Sequence, residues 1–106
     1  MPKYLFHGSY TQEGVKGLLK EGGTSRRATI EALAKGMGGS IEAFYFAFGE
    51  SDVYVIGDLP DQATAAALSL TVGAAGAIQL STTVLITPEE IDEAAKKTVN
   101  YRPPGQ

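Results

Sequence analysis

Four short segments of this chain are rich in branched and aromatic residues, and apolar residues recur at helical spacing between them. The first segment, residues 3–10, carries Tyr4, Phe6 and Tyr10 on one side, and its aromatic content favours a β-strand. Three further segments share this enrichment in branched and aromatic residues, and strands are therefore predicted over residues 41–48, 52–59 and 77–86. The middle two are expected to form a hairpin around Gly49-Glu50-Ser51.

The segments between the strands have helical spacing and recognisable caps. Thr11 can cap a first helix, which breaks at Gly22-Gly23 and is followed by a second helical segment from about residue 25 to residue 37. Asp61 can cap an alanine-rich helix over about residues 62–72. Both crossovers between parallel-running strands are therefore predicted to be helical, the first of them interrupted.

A last helix and a tail follow the fourth strand. Thr87-Pro88-Glu89-Glu90 has the signature of a helix start, with a Thr cap, Pro at the first position and Glu three residues after the Thr. Residues 98–106 are rich in proline and are expected to form an extended tail.

This order of elements predicts one α+β domain over residues 1–106. Two helical crossovers that flank a hairpin match the ferredoxin-like βαββαβ arrangement, here with an additional C-terminal helix. Its four-stranded antiparallel sheet would have the order 4-1-3-2, with both crossovers on one face. The other face would be bare.

The second predicted strand is apolar on both sides, which makes a bare face significant. Its two sides would carry Phe44, Phe46 and Phe48 on one, and Ile41, Ala43, Tyr45 and Ala47 on the other. An exposed apolar surface of this size marks an interaction site. A second copy of the sheet is the simplest cover, which predicts a two-fold dimer. The alternative is that the last helix and tail fold back over the face within one chain.

Composition restricts the chemistry. With 12 acidic against 9 basic residues and a net charge of −3, the chain lacks the basic face that nucleic-acid binding needs. It has no cysteine and one histidine, so no disulfide, metal or cofactor is expected. No segment has the apolar length of a signal peptide core or a membrane span, and a cytoplasmic protein with no membrane partner is expected.

Several motifs together resemble the GYD domain family. They are Gly49-x-x-Asp52-Val53-x-Val55-Ile56 followed by Pro60-Asp61, Tyr10-Thr11-x-x-Gly14, Arg26-Arg27, Gly38-Gly39 and Phe44-Tyr45. The resemblance covers roughly residues 3–90. It implies a small bacterial or archaeal protein, related to the dimeric α/β-barrel superfamily and largely without assigned function. In one departure from the family pattern, Ser51 stands where the triplet that names the family has Tyr.

His7 is the first candidate catalytic residue, because its pKa in solution lies nearest neutrality. On the bare face it would lie across from Tyr54 or Asp58, and a His–Asp pair there could transfer a proton. The simpler interpretation is a hydrogen-bonded histidine at a subunit contact. Tyr54 and Asp58 are the other weak catalytic candidates, and Ser9 and Tyr45 are weak candidates for ligand contacts.

Asp52 is the remaining candidate ligand contact. It lies at even spacing from Asp58, so the two carboxylates could share acid and base roles or hold a cation. Because Asp52 adjoins the turn, it is expected instead to accept hydrogen bonds from backbone amides. Arg26-Arg27 could bind an anion, although a solvated basic pair is the simpler interpretation.

Four tyrosines, at positions 4, 10, 45 and 54, could line a pocket for a small apolar or aromatic ligand. Three functions are therefore considered. The first is an oligomeric protein that binds a small ligand between the sheets of its subunits, the second a cofactor-independent enzyme such as a small monooxygenase or isomerase, and the third a structural or regulatory interaction module.

Overall fold

Eight secondary-structure elements follow one another with short connections in the computed structural model, which describes residues 1–106. In chain order they are β1 (Lys3–Tyr10), α1 (Gln12–Glu21), α2 (Gly23–Gly36), β2 (Ser40–Phe46), β3 (Val53–Asp58), α3 (Gln62–Ala75), β4 (Ile78–Leu85) and α4 (Pro88–Lys96). The order of strands and helices is the predicted one, including the interrupted first crossover.

Polar caps fix where three of the helices begin. The Thr11 side chain accepts a hydrogen bond from the Gly14 amide, and the Asp61 carboxylate accepts one from the Thr64 amide at 2.8 Å. Hydrogen bonds from the side chain and backbone of Thr64 hold the pKa of the Asp61 carboxyl below its ordinary value. The Thr87 hydroxyl and Glu90 carboxylate complete the predicted capping box of α4. Between α1 and α2 the backbone turns at Gly22, whose φ of +91° favours glycine.

The four strands form one antiparallel sheet in the order β2-β3-β1-β4. This is the predicted order 4-1-3-2 read from the other edge. The α+β class and the four-stranded antiparallel sheet of the prediction are therefore confirmed.

The core lies between the sheet and the helices. Side chains on a strand point alternately to its two faces, so every second residue of β1 and of β3 is buried. The buried core cluster consists of Tyr4, Phe6, Val53, Val55, Leu59, Ala65 and Ile78. Helices α2 and α3 lie over this face, α2 against β2 and α3 against β4.

A β-bulge at Glu42 changes the faces of β2 from those predicted. The register shifts between Ile41 and Ala43, so Ile41 lies opposite Gly57 and packs against the core with Phe44. The prediction that Ile41 shares a side with Ala43 and Tyr45 is therefore wrong. The strand also ends at Phe46, which leaves Phe48 fully exposed in the connection to β3 instead of beside the other two Phe rings.

The second face of the sheet is not covered by a helix, and we call it the open face. Its residues include Lys3, Leu5, His7, Ser9, Ala43, Tyr45, Tyr54, Ile56, Asp58, Gln79, Ser81, Thr83 and Leu85. Tyr45 is 71% exposed, whereas Leu5 and Ile56 are half-buried by their neighbours in the sheet. The face therefore has an apolar centre with polar groups around it.

Residues 88–106, which we call the C-terminal arm, lie apart from the sheet. Every residue of the arm is exposed, and α4 makes no extensive contact with another element. The radius of gyration is 17.0 Å, against about 13 Å for a compact domain of this length. The alternative in which the last helix and tail cover the open face of their own chain is therefore wrong.

The hydroxyl of Tyr4 supplies a stability prediction. Tyr4 is 1% exposed and its hydroxyl has no hydrogen-bond partner, an arrangement that costs about 1–3 kcal/mol. We expect Tyr4→Phe to increase the free energy of unfolding by about 1 kcal/mol. Urea denaturation at one fixed protein concentration measures this, with Tyr101→Phe in the exposed arm as the control. A loss of stability in Tyr4→Phe would contradict the expectation.

Candidate functional site

His7 lies on the open face with two close partners. Its ring stacks on that of Tyr54, with centroids 5.6 Å apart and planes at 13°. Its Nδ1 lies 2.9 Å from the Oγ of Ser51. Of the two partners considered for His7 across the sheet, Tyr54 or Asp58, the register of β1 and β3 places Tyr54 opposite it. A histidine and two hydroxyl side chains thus meet at one end of the open face.

The connection between β2 and β3 holds Ser51 in place. The Asp52 amide donates to the Gly8 carbonyl at 2.8 Å, and the Asp52 carboxylate accepts from the Tyr10 amide at 2.9 Å. The Ser9 hydroxyl donates to the Glu50 carbonyl at 3.1 Å. The expectation that Asp52 binds backbone amides is confirmed. Its carboxylate helps to fasten this connection to β1.

Sequence reasoning did not identify Ser51 as part of the site. Ser51 is only 6% exposed although it lies in a connection. The backbone hydrogen bond from the Asp52 amide to the Gly8 carbonyl holds this part of the connection against β1. The available signal was its departure from the family pattern at a position that normally carries Tyr.

Asp58 lies at the other end of the open face from His7. Its carboxylate accepts from the Lys3 ammonium at 3.0 Å, and Glu42 accepts from the same ammonium at 2.6 Å. Hydrogen bonds to Glu42 and Asp58 raise the pKa of Lys3. The structure therefore gives Asp58 and Asp52 separate partners and does not bring Asp58 to His7.

The four tyrosines do not form one pocket, so that prediction is wrong. Tyr45 and Tyr54 are register partners on the open face, whereas Tyr4 and Tyr10 point to the helix side of β1. Any ligand at the open face would meet Tyr45, Tyr54, His7 and Ser9 there.

A cleft opens on the helix side of the sheet, and we call it the apolar cleft. It has a volume of about 70 Å³ and is lined by 17 residues, 14 of which are hydrophobic. Ile30 and Leu33 of α2 form one wall, and Leu68 and Val72 of α3 form the other. Phe6 and Val55 belong to its floor, on the two central strands. A small apolar body fits such walls.

Arg26 is the one charged residue of the cleft lining. Burial raises the pKa of the Tyr10 hydroxyl, which also lines the cleft, and the nearby Arg26 guanidinium partly offsets that rise. Arg27 instead borders a separate depression beside Phe44 and Phe46. Arg26 therefore lies at the apolar cleft and the adjacent Arg27 at the separate depression.

Sequence reasoning missed the apolar cleft as well. The apolar stripes of both helices were visible, but whether they meet depends on how far apart the sheet holds them. Of the six alanines of α3 only Ala65 is buried, and none of the six lines the cleft, which α3 contacts through Leu68 and Val72.

The fold and these two surfaces define an α+β protein with an antiparallel sheet, one side under helices and the other open. A family model described as GYD domain matches residues 4–95, so the chain belongs to the GYD domain family. This confirms the resemblance found in the sequence. A search of curated proteins found no significant match. No helix of the chain is both long enough and apolar enough to span a bilayer.

The stacking of His7 on Tyr54 can be tested in solution. A proton above an aromatic ring is shifted upfield, so we expect the His7 ring resonances to move downfield in Tyr54→Ala. Tyr45→Ala is the matched control, because Tyr45 pairs with Tyr54 and makes no ring contact with His7. Two-dimensional NMR of both variants at one pH measures the difference. Equal shifts in the two variants would contradict the observed stacking.

Proposed function

We propose that this chain functions as a homo-oligomer, most simply a two-fold dimer joined through its open face, and that it binds a small apolar or aromatic molecule. The uncovered sheet carries the first part of this proposal, because neither a helix nor the C-terminal arm shields it. The apolar cleft supports the second part.

The amount of exposed surface supports association. The isolated chain exposes 7461 Å², whereas a compact monomer of this mass exposes about 5,700 Å². The excess, about 1,800 Å² for one chain, is more than the roughly 800 Å² that each partner contributes to a standard protein interface. Two copies paired face to face would form a dimeric α/β barrel, the assembly that the family resemblance implies.

The C-terminal arm supports association in the same way. α4 begins with a complete capping box, yet its apolar Ile91 is 53% exposed. Val99 and Tyr101 of the tail are also largely exposed. A well-formed helix without extensive contacts in its own chain has an apolar stripe available for a second copy.

His7, Ser51 and Tyr54 favour a second candidate function, a cofactor-independent enzyme of the small monooxygenase or isomerase type. In that case His7 would transfer a proton, with Tyr54 beside it. Such chemistry requires the substrate to lie on the open face, because His7 and the apolar cleft are on opposite sides of β1. Asp58 would take no part in the reaction, because its carboxylate accepts a hydrogen bond from the Lys3 ammonium at the other end of the face.

Native mass spectrometry of the purified chain tests the proposal as a whole. We expect a dimer or a multiple of it, together with a non-covalently bound small mass. A monomer at micromolar concentration would refute the oligomer, whatever is bound. A dimer that never carries or takes up a small molecule would instead favour a structural or regulatory module.

One substitution on the open face tests the contact between copies. Ile56→Glu places a carboxylate at the apolar centre of that face, and each buried aliphatic side chain contributes roughly 1.5–3 kcal/mol. We expect at least a tenfold weaker dimer by size-exclusion chromatography with light scattering. Leu70→Glu is the matched control, because Leu70 is 75% exposed on α3 and lies away from the open face. Equal effects of both substitutions would refute the predicted contact.

A substitution in the C-terminal arm tests its part in the oligomer. We expect Ile91→Glu to weaken the dimer severalfold while leaving the circular dichroism of the body unchanged, because α4 makes no extensive contact with another element of its own chain. The same chromatography measures the dissociation. An unchanged dimer would show that the arm contributes nothing to association.

A further inference from the structure

The lining of the apolar cleft has one charged member, Arg26, which lies beside the Tyr10 phenol and has no carboxylate partner. Arg26 is half-buried, and no carboxylate lies within salt-bridge distance of it, since both ion pairs of the chain involve Lys3. A guanidinium that lies beside apolar walls and has no acidic partner can pair with the carboxylate of a ligand.

Two carboxylates lie near this end of the cleft, and each has other hydrogen-bond partners. Asp52 and Glu21 both raise the pKa of Tyr10 through their charge, so they lie near this end of the cleft. The Asp52 carboxylate accepts the Tyr10 amide, and Glu21 accepts the hydroxyls of Ser25 and Thr29. Neither forms a salt bridge with Arg26.

The Tyr10 hydroxyl provides a second polar group at the same end. Burial raises the pKa of this phenol, while Arg26 lowers it both by its charge and as a hydrogen-bond donor, so the two side chains lie side by side and the phenol O–H can still donate to a ligand. A guanidinium and a phenol that both donate are complementary to an oxyanion, whereas neither favours a cation.

The volume of the cleft limits the ligand to a small body. Its roughly 70 Å³ is about half of the 150 Å³ of an engineered cavity that holds benzene. A short branched chain fits inside, and a single ring fits if its edge stays in the mouth.

We propose that the apolar cleft binds a compact organic anion, with a carboxylate at Arg26 and Tyr10 and an aliphatic or single-ring body between α2 and α3. The proposal rests on the ligand-binding function above, and it names the site and the chemical class of the ligand. His7 takes no part in this binding, because it lies on the other face of the sheet.

Fluorine NMR on the full chain tests the charge preference with 4-fluorobenzoate and its neutral counterpart 4-fluorobenzyl alcohol. We expect the wild-type protein to bind the benzoate at least tenfold more tightly. Arg26→Gln should remove that preference and leave the affinity for the alcohol unchanged. Arg27→Gln is the matched control, because the adjacent Arg27 borders a different depression, and it should behave as wild type.

A second pair of substitutions tests the location without altering charge. Val72→Phe fills the cleft and should abolish binding of both compounds, whereas Leu70→Phe, on the exposed side of α3, should not. Thermal unfolding verifies that each variant is folded. If Val72→Phe does not fold, the comparison of the two arginine variants still decides the charge preference.

Three results would overturn the proposal. The first is that Arg26→Gln and Arg27→Gln lose the same affinity for the benzoate. The second is that the wild-type protein binds the benzoate and the alcohol with equal affinity. The third is that the benzoate shows no saturable binding at millimolar concentration. If the alcohol alone binds, and Val72→Phe removes it, the small-ligand function stands while the anion is refuted. The oligomer is judged separately by light scattering.

Discussion

The pairing of β1 with β3 is the constraint on which the rest of the structure depends. Every second side chain of these two central strands, including Phe6 and Val55, lies under the helices. The side chains between them, including His7 and Tyr54, point to the open face. A shift of one residue would exchange the two sets, so the register is strongly determined by burial.

Both candidate surfaces follow from this single division. The apolar cleft lies above the central strands because α2 and α3 pack on the outer strands and leave a gap between them. The open face lies below because no element returns to cover it. One layer of backbone therefore separates a cleft with a single guanidinium from a face with a single imidazole.

The connection between β2 and β3 shows how a motif of the chain becomes structure. Asp52 fastens it to β1 through Gly8 and Tyr10, as expected of an Asp beside a turn. The consequence for Ser51 could not be foreseen, because its contact with His7 joins residues 44 positions apart. Likewise the bulge at Glu42, which moves Ile41 into the core, depends on how β2 meets its neighbour.

The sequence alone determined the elements, because caps, glycine breaks and alternation are local properties of the chain. It also determined the sheet order, since two helical crossovers around a hairpin allow few arrangements. The tertiary structure alone decided that Asp58 pairs with Lys3, that the tyrosines divide between two faces and that a cleft forms beside Arg26. Those features depend on distances between segments that are far apart in the chain, and no local pattern encodes such distances.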